Sequence, residues 1–352
     1  MPSTVRGISL FMGPDDLGAK DDLESAIIGF IGAARSALDV AVQELESRPI
    51  ARALIAARKQ GIKIRLVLEG DYLGVDKARA EPFEKGGKND ENRIIHAALL
   101  RANIDVRSDY NGSIFHQKFI VRDIKKGNSA VLTGSTNFTP TGVHNNLNHL
   151  IIVDGKKAAR EFATEFEEIW DGSFGTARLR HDPKPRNLRV AGIRVKVLFA
   201  PDHAPEMEIM KQMLKAKERI DFAIFTFSQS SGIDDVMLAL IKPDIQVRGA
   251  LDKGQGGRPW APTKILNAAG GNLKLVKKGG GLNKLHHKLM IIDRQLVIGG
   301  SFNYTGPTNR LNDENIVILG DLDETRPESI ATQKQFASYA LAEIDRIIAN
   351  HT

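Results

Sequence analysis

Two stretches of the chain carry the same reactive side chains at the same spacing. The first reads Phe115-His-Gln-Lys-Phe-Ile-Val-Arg-Asp123 and continues at Leu132-Thr-Gly-Ser-Thr-Asn137. The second reads Leu285-His-His-Lys-Leu-Met-Ile-Ile-Asp293 and continues at Ile298-Gly-Gly-Ser-Phe-Asn303. His116, Lys118 and Asp123 therefore recur as His286, Lys288 and Asp293, and Ser135 and Asn137 recur as Ser301 and Asn303. Imidazole, ammonium and amide groups presented twice suit a phosphodiester. Lysines neutralise its non-bridging oxygens, and Ser and Asn donate hydrogen bonds as charge grows there. One imidazole attacks phosphorus and the other protonates the leaving oxygen.

The apolar, β-branched residues around these groups predict strands, whose side chains alternate faces with period two. His116 and Lys118 then share one face, and His286 and Lys288 another. Asp123 and Asp293 fall at the opposite parity, so they join the candidate catalytic set in a structural or orienting role. His287, between His286 and Lys288, should point away, as should Gln117.

The elements that hold these strands repeat as well. Ser36–Val42, a helix over Pro49–Lys59 and a strand over Ile62–Leu68 correspond to Ile220–Phe225, Gly232–Ile241 and Ile245–Leu251. Helix-like Lys157–Trp170 corresponds to Ser329–Asn350. Alternating strand and helix patterns predict an α/β fold of two pseudo-twofold-related domains. Each is expected to be a mixed, mostly parallel sheet flanked by helices. The boundaries expected are 1–180, a linker over 181–193, and 194–352, with the two glycine-bearing stretches Lys85–Asn92 and Gly254–Gly257 as loops.

These motifs resemble the duplicated HxK(x)4D motif of the phospholipase D superfamily with its trailing GSxN. Gly-Gly-Ser-Phe-Asn-Tyr-Thr (299–305) is similar to bacterial nuclease members. The resemblance implies the phospholipase D/nuclease fold, one active site between the halves, and a covalent phosphohistidine with no metal or cofactor. It also implies that a polar residue downstream in one half supports the histidine of the other. Asn137 is followed by Asn146 and Asn148, and at the same offsets Asn303 is followed by Asn312 and Glu314. Glu314 would then support His116 and Asn148 would support His286. A carboxylate on the far ring nitrogen makes an imidazole the better nucleophile, so His116 is expected to attack and His286 to act as general acid. Ser135, Asn137, Asn148, Ser301 and Asn303 are expected to bind substrate. Gln43 and Glu44 could line the pocket edge.

Composition narrows the chemistry without choosing the substrate. The 352 residues hold no cysteine, which excludes a thiol nucleophile, a thiolate metal site and a disulfide framework. No carboxylate cluster of the two-metal type and no Gly-x-Ser-x-Gly elbow accompanies the histidines. Lys and Arg exceed Asp and Glu by 6, a balance that favours acidic partners. DNA or RNA is the leading expectation, with Lys125, Lys126, Lys253, Arg258, Lys277, Lys278 and Lys284 as backbone contacts. One rival is a phospholipase D or phosphatidyl transferase, for which Trp260 hints at an apolar mouth. Another is a nucleic-acid-binding scaffold with a dormant site. The N-terminus lacks the pattern of a secretory signal, so a cytoplasmic location is expected, with no transmembrane segment. Family members of this size suggest a defence-system partner. A monomer would suffice for a complete site.

Overall fold

The computed structural model describes residues 1–74, 80–178, 184–242 and 245–352. Two sheets are built from the two halves. The first contains β1 (Ser3–Val5), β2 (Ile8–Gly13), β3 (Ala37–Val42), β4 (Lys63–Leu68), β5 (Asp105–Ser108), β6 (Lys118–Arg122), β7 (Ala130–Gly134) and β8 (Asn146–Asp154). The second contains β9 (Asn187–Val190), β10 (Ile193–Ala200), β11 (Arg219–Ile224), β12 (Gln246–Asp252) and β13 (Asn272–Val276). It continues with β15 (Lys288–Ile292), β16 (Leu296–Gly300) and β17 (Glu314–Leu319), while the short β14 (Lys284–Leu285), between β13 and β15 in the chain, pairs with β8 of the first sheet. The strand orders are β1-β2-β8-β7-β6-β3-β4-β5 and β13-β12-β11-β15-β16-β17-β10-β9, so one is the other read backwards with every strand matched.

Both sheets are mixed, but they are not mostly parallel as expected. Parallel pairing is confined to β3-β4-β5, β11-β12-β13 and the short β14 beside β8. In the first two, helices such as Arg48–Lys59 carry the crossover that parallel strands require. Ser47 caps this helix by accepting from the Ile50 N–H, and Pro49 stands in its first turn, where no donor is lost. The motif strands instead lie on the antiparallel side, since short links join β6 to β7 and β15 to β16.

Part of the span expected as a linker, 181–193, is a strand. Residues 179–183 lie outside the described residues, but Asn187–Val190 pairs with β10 at the edge of the second sheet. Its neighbour Ile193 begins β10. Gly254–Gly257 is not an irregular loop either, because Lys253–Gly256 forms a helical turn capped by Asp252.

The sheets share one core. Phe162, Phe166 and Ile169 of the helix Lys156–Trp170 pack in the same cluster as Phe336, Ala340, Ile344 and Ile347 of the helix Pro327–His351. Ile8, Val131, Val197 and Val297 of the two sheets complete it. The final helix therefore packs on both halves, touching β1 and β2 as well as β10 to β13. Tyr339 donates to Asp21 at 2.5 Å, and Arg346 to the Leu17 carbonyl at 2.8 Å. Each half keeps its own outer apolar layer beneath its remaining helices. Among the described residues, no helix is long and apolar enough to cross a membrane.

Candidate active site

The chain crosses between the halves just before each motif strand. β14 runs beside the start of β8, pairing Leu285 with Leu147, and Phe115 bridges Asp313 in the same parallel sense. In consequence the His116 N–H donates to the Asp313 carbonyl and the His286 N–H to the Leu147 carbonyl, each at 2.9 Å. The next residues, Glu314 and Asn148, then meet the rings. Glu314 Oε2 lies 2.7 Å from His116 Nδ1, and Asn148 Oδ1 lies 2.9 Å from His286 Nδ1. The Ser135 carbonyl also approaches His286 Nδ1, at 3.1 Å. Acceptors on Nδ1 put the imidazole proton there and leave Nε2 with its lone pair toward the opening.

The lysines are fixed by their own strands and by contrasting partners. Lys118 Nζ donates to the His116 carbonyl at 2.8 Å and to Gln43 Oε1 at 3.0 Å. Lys288 Nζ donates to the His286 carbonyl at 2.8 Å and stands 5.3 Å from the centre of the Phe225 ring, whose position matches Gln43. Phe225 also leans on His286, with ring centres 5.1 Å apart. Asn137 and Asn303 stand half-buried at the mouth; Asn137 donates to Glu44 at 3.0 Å, and Asn303 accepts from the Thr226 N–H.

Electrostatically the site is a buried cluster of opposed charges. Burial, then Lys118 and Lys288, holds His116 well below the usual histidine range. Burial pushes Glu314 up to about 8, against the pull of Lys118. The two titrate as a pair across this hydrogen bond, and Lys118 and Lys288 favour its singly negative state, Glu314 ionised and His116 neutral with its proton on Nδ1. Burial likewise lowers Lys118 to about 7, although Glu314, Glu44 and Glu69 support its charge. An arriving phosphodiester anion would supply the missing negative charge.

Several expected site residues take other places. Asp123 and Asp293 do not join the reacting groups. They sit past the far ends of β6 and β15, with φ of 52° and 50°. Asp123 accepts from the N–H groups of Arg35, Ser36 and Ala37, and Asp293 from those of Lys217, Glu218 and Arg219. Ser135, Ser301 and Asn148 are fully buried and do not face the opening. The Ser135 hydroxyl donates to Asn148 at 2.8 Å, and the Ser301 hydroxyl accepts from the Asn315 N–H at 3.0 Å. The GSxN pattern thus builds the support behind each ring. Its glycines have no alternative: Gly134 and Gly300 have φ of 153° and 151°, and a Cβ would lie 2.2 and 2.3 Å from the carbonyls of His149 and Asn315.

Lys125 and Lys126 follow Asp123 at the end of β6 away from His116, so they face a different surface. Lys253, Arg258, Lys278 and Lys284 do converge, in a groove of about 750 Å³ that runs beside Phe225 and Asp252. Lys277 is exposed next to it, and Trp260 is 41% exposed two residues past Arg258. Sequence reading missed Glu69 and Asp252, which accept from the N–H groups of Phe115 and Leu285 and so aim each motif segment. Their equivalent positions, one residue after β4 and in the last place of β12, were the available signal.

The family described as cardiolipin synthase, PLD-like domain, matches residues 27–170 and 209–337. The mitochondrial cardiolipin hydrolase of Mus musculus is 26% identical over 158 residues, 45% of this chain and 62% of that protein. A phospholipase D of Rickettsia felis is 27% identical over 151 residues, 40% of this chain and 69% of that protein. The chain spans about half to two thirds of the length of most such relatives. The phosphatidylserine synthase of Haemophilus influenzae aligns over 100% of this chain and 88% of its own, with a TM-score of 0.66 at 12% identity, a likeness of fold alone.

Proposed function

The chain belongs to this PLD-like family, and from that premise we propose that it is a phosphodiesterase working through a phosphohistidine, with nucleic acid as its substrate. His116 Nε2 attacks phosphorus, the bond to the leaving oxygen breaks, and His286, entering the step as the imidazolium with a second proton on Nε2, gives that oxygen this proton. Water then attacks the phosphorus, His286 takes its proton, and the phosphorus–nitrogen bond to His116 breaks. Lys118 and Lys288 offset the charge on the non-bridging oxygens throughout. The observation that carries the reading is the unequal support of two equivalent rings, a carboxylate on His116 and an amide on His286.

The groove of Lys253, Arg258, Lys278 and Lys284 supports the choice of substrate. It opens beside Phe225 and His286, where the leaving alcohol would lie. An alcohol carrying further phosphates fits there, and a cationic headgroup such as choline does not. An anionic phospholipid is the second reading. Tyr110, Ile114 and Leu311, which are 87%, 45% and 43% exposed, cluster near His116 and would suit a lipid surface. The relatives named as cardiolipin hydrolases agree with that reading.

The test is cleavage of DNA, RNA and cardiolipin-containing vesicles side by side in excess EDTA. Nucleic-acid cleavage that persists in EDTA and is lost in His116→Ala supports the proposal. Lipid hydrolysis alone moves it to the second reading. A biological activity indifferent to His116→Ala would mean a binding scaffold.

A further inference from the structure

Behind the two catalytic rings lie two buried polar networks in equivalent places, and they differ chemically. Behind His116, Gln117 accepts from Asn315 Nδ2 at 2.7 Å and donates to Glu165 at 3.1 Å. Thr133 donates to Asn315 Oδ1 at 2.8 Å. Behind His286 the same positions hold His287, His149 and Gly299, and Glu343 takes the place of Glu165. The two imidazoles are fully buried and nearly parallel, with Nδ1 atoms 3.2 Å apart.

Their proton positions are dictated by the ends of the chain. The Gly300 N–H donates to His149 Nε2 at 3.0 Å, so a neutral His149 carries its proton on Nδ1. That proton points at His287 Nδ1, which must accept. His287 then carries its proton on Nε2, 3.6 Å from Glu343 Oε1. Arg346 anchors this carboxylate with two bonds of 2.7 and 2.8 Å. The result is a directed pair of hydrogen bonds from β16 through β8 to the second motif, with the His287 Nε2–H turned toward Glu343 of the final helix across 3.6 Å without a hydrogen bond to it. The larger ring at 149 requires Gly299, since a Cβ there would lie 2.9 Å from His149 Nε2. Ring and glycine in one half replace amide and threonine in the other.

Given the reading of His286 as general acid, we propose that His149 and His287 are positioning residues for proton delivery to the leaving oxygen. Each is one residue from a member of that unit: His149 follows Asn148, and His287 follows His286. The path locks β8 against the second motif and so fixes the Asn148–His286 hydrogen bond. The charged groups facing the pair are Lys288 from β15 and Glu343 and Arg346 from the final helix. Burial lowers both imidazoles below the usual range, with Lys288 adding to the effect and Glu343 opposing it at His287. The neutral, directed form is therefore the one present at neutral pH.

The experiment uses diaryl phosphodiesters with leaving groups graded from p-nitrophenol to phenol. A good leaving group needs little proton assistance, whereas phenol needs it fully. His286→Ala should lose about 100-fold more activity on the phenol ester than on the p-nitrophenol ester. His149→Ala and His287→Ala should show the same gradient at about tenfold. The combined His149→Asn, His287→Gln, Gly299→Thr variant copies the other half and should flatten it again. If that variant does not accumulate, His287→Gln alone, which keeps a donor toward Glu343, should give a smaller gradient than His287→Ala. Uniform losses across leaving groups in the His149 and His287 variants, with a gradient in His286→Ala, overturn the inference. Absence of a gradient in His286→Ala overturns the acid assignment instead.

Discussion

His116 and Glu314 stand 198 positions apart and in different halves of the chain, yet 2.7 Å separates Nδ1 of one from Oε2 of the other. The backbone brings them together before the side chains do. The His116 N–H is bonded to the carbonyl of Asp313, the residue just before Glu314. His116 is therefore aligned by a strand-like bridge between halves, and His286 is aligned in the same way beside Asn148. Neither half holds a complete histidine unit by itself.

The carboxylate of Glu314 should matter through its charge. Glu314→Gln keeps the shape and can still touch Nδ1, but an amide can donate and favour the wrong tautomer. We expect kcat to fall by about 10³–10⁴-fold with little change in melting temperature. A loss of less than about tenfold would detach Glu314 from the nucleophile. The paired measurements are single-turnover rates and a thermal melt.

The inequality of the two supports predicts where phosphorus becomes attached. Brief reaction with a phosphorus-labelled diester, acid-free quenching and peptide mapping should place the label on His116. His286→Ala should accumulate it, because the same group that protonates the leaving oxygen must then activate water. Label on His286 with none on His116 would reverse the roles.

Lys118 makes the reaction sensitive to alkali. Its ammonium is lowered by burial to about 7 in the free protein, so the charged form is present below that pH and lost above it. Because kcat/KM reports the free enzyme, it should decline as pH rises past about 7. A bound phosphodiester restores the charge, so the limb in kcat should lie higher. Lys118→Arg, which stays charged, should remove the decline in kcat/KM if its longer fork is accommodated; a profile flat to pH 9 in the unaltered protein would contradict the account.

Much of this site was legible because the chain says it twice. The offset from Asn137 to Asn148 equals that from Asn303 to Glu314, and the resemblance supplied the crossing. Period-two parity alone separates Asp123 and Asp293 from the histidines. The serines misled, because a GSxN strand read alone does not say which face is open. Ser135 and Ser301 turn inward, their glycines pressed against the neighbouring strands. The parallel majority was also misjudged. Alternating strand and helix suggests crossovers throughout, but the short links after β6 and β15 permit only hairpin-like pairing. Lys125 and Lys126 were near the motif in sequence and one strand length from it in space.

Asp123 should prove structural. Its carboxylate accepts from three backbone N–H groups and from the Ser36 hydroxyl, the latter at 2.7 Å. Burial works against its charge, but the bonds from Ala37, Ser36 and Arg35 outweigh it and hold the pKa below the usual carboxylate value. Its stabilising effect is therefore complete above the unfolded carboxylate range and fades as pH falls through the folded value. Asp123→Ala should cost about 2–4 kcal/mol in denaturant titrations at pH 7, by stranding those donors. Turnover per folded molecule should remain within a few-fold. A loss of turnover with stability unchanged would return Asp123 to the reacting set.

The groove beside His286 gives the substrate proposal a quantitative form. Lys253, Arg258, Lys278 and Lys284 converge there, whereas Lys125 and Lys126 face elsewhere. Each groove cation that contacts a backbone phosphate releases counterions on binding, so its removal should lower the slope of log K against log salt by about 0.7–0.9. Arg258→Ala and Lys278→Ala should each weaken binding of a single-stranded oligonucleotide and reduce the slope in this way. Lys125→Ala should do neither, which makes it the internal reference. Equal effects from all three would mean that the basic surface acts diffusely, and no effect from the groove variants would direct the leaving group away from it. The same variants on cardiolipin vesicles separate the substrates. A nucleic-acid groove should lose slope on the oligonucleotide, while a lipid site should lose vesicle binding and leave the oligonucleotide unchanged.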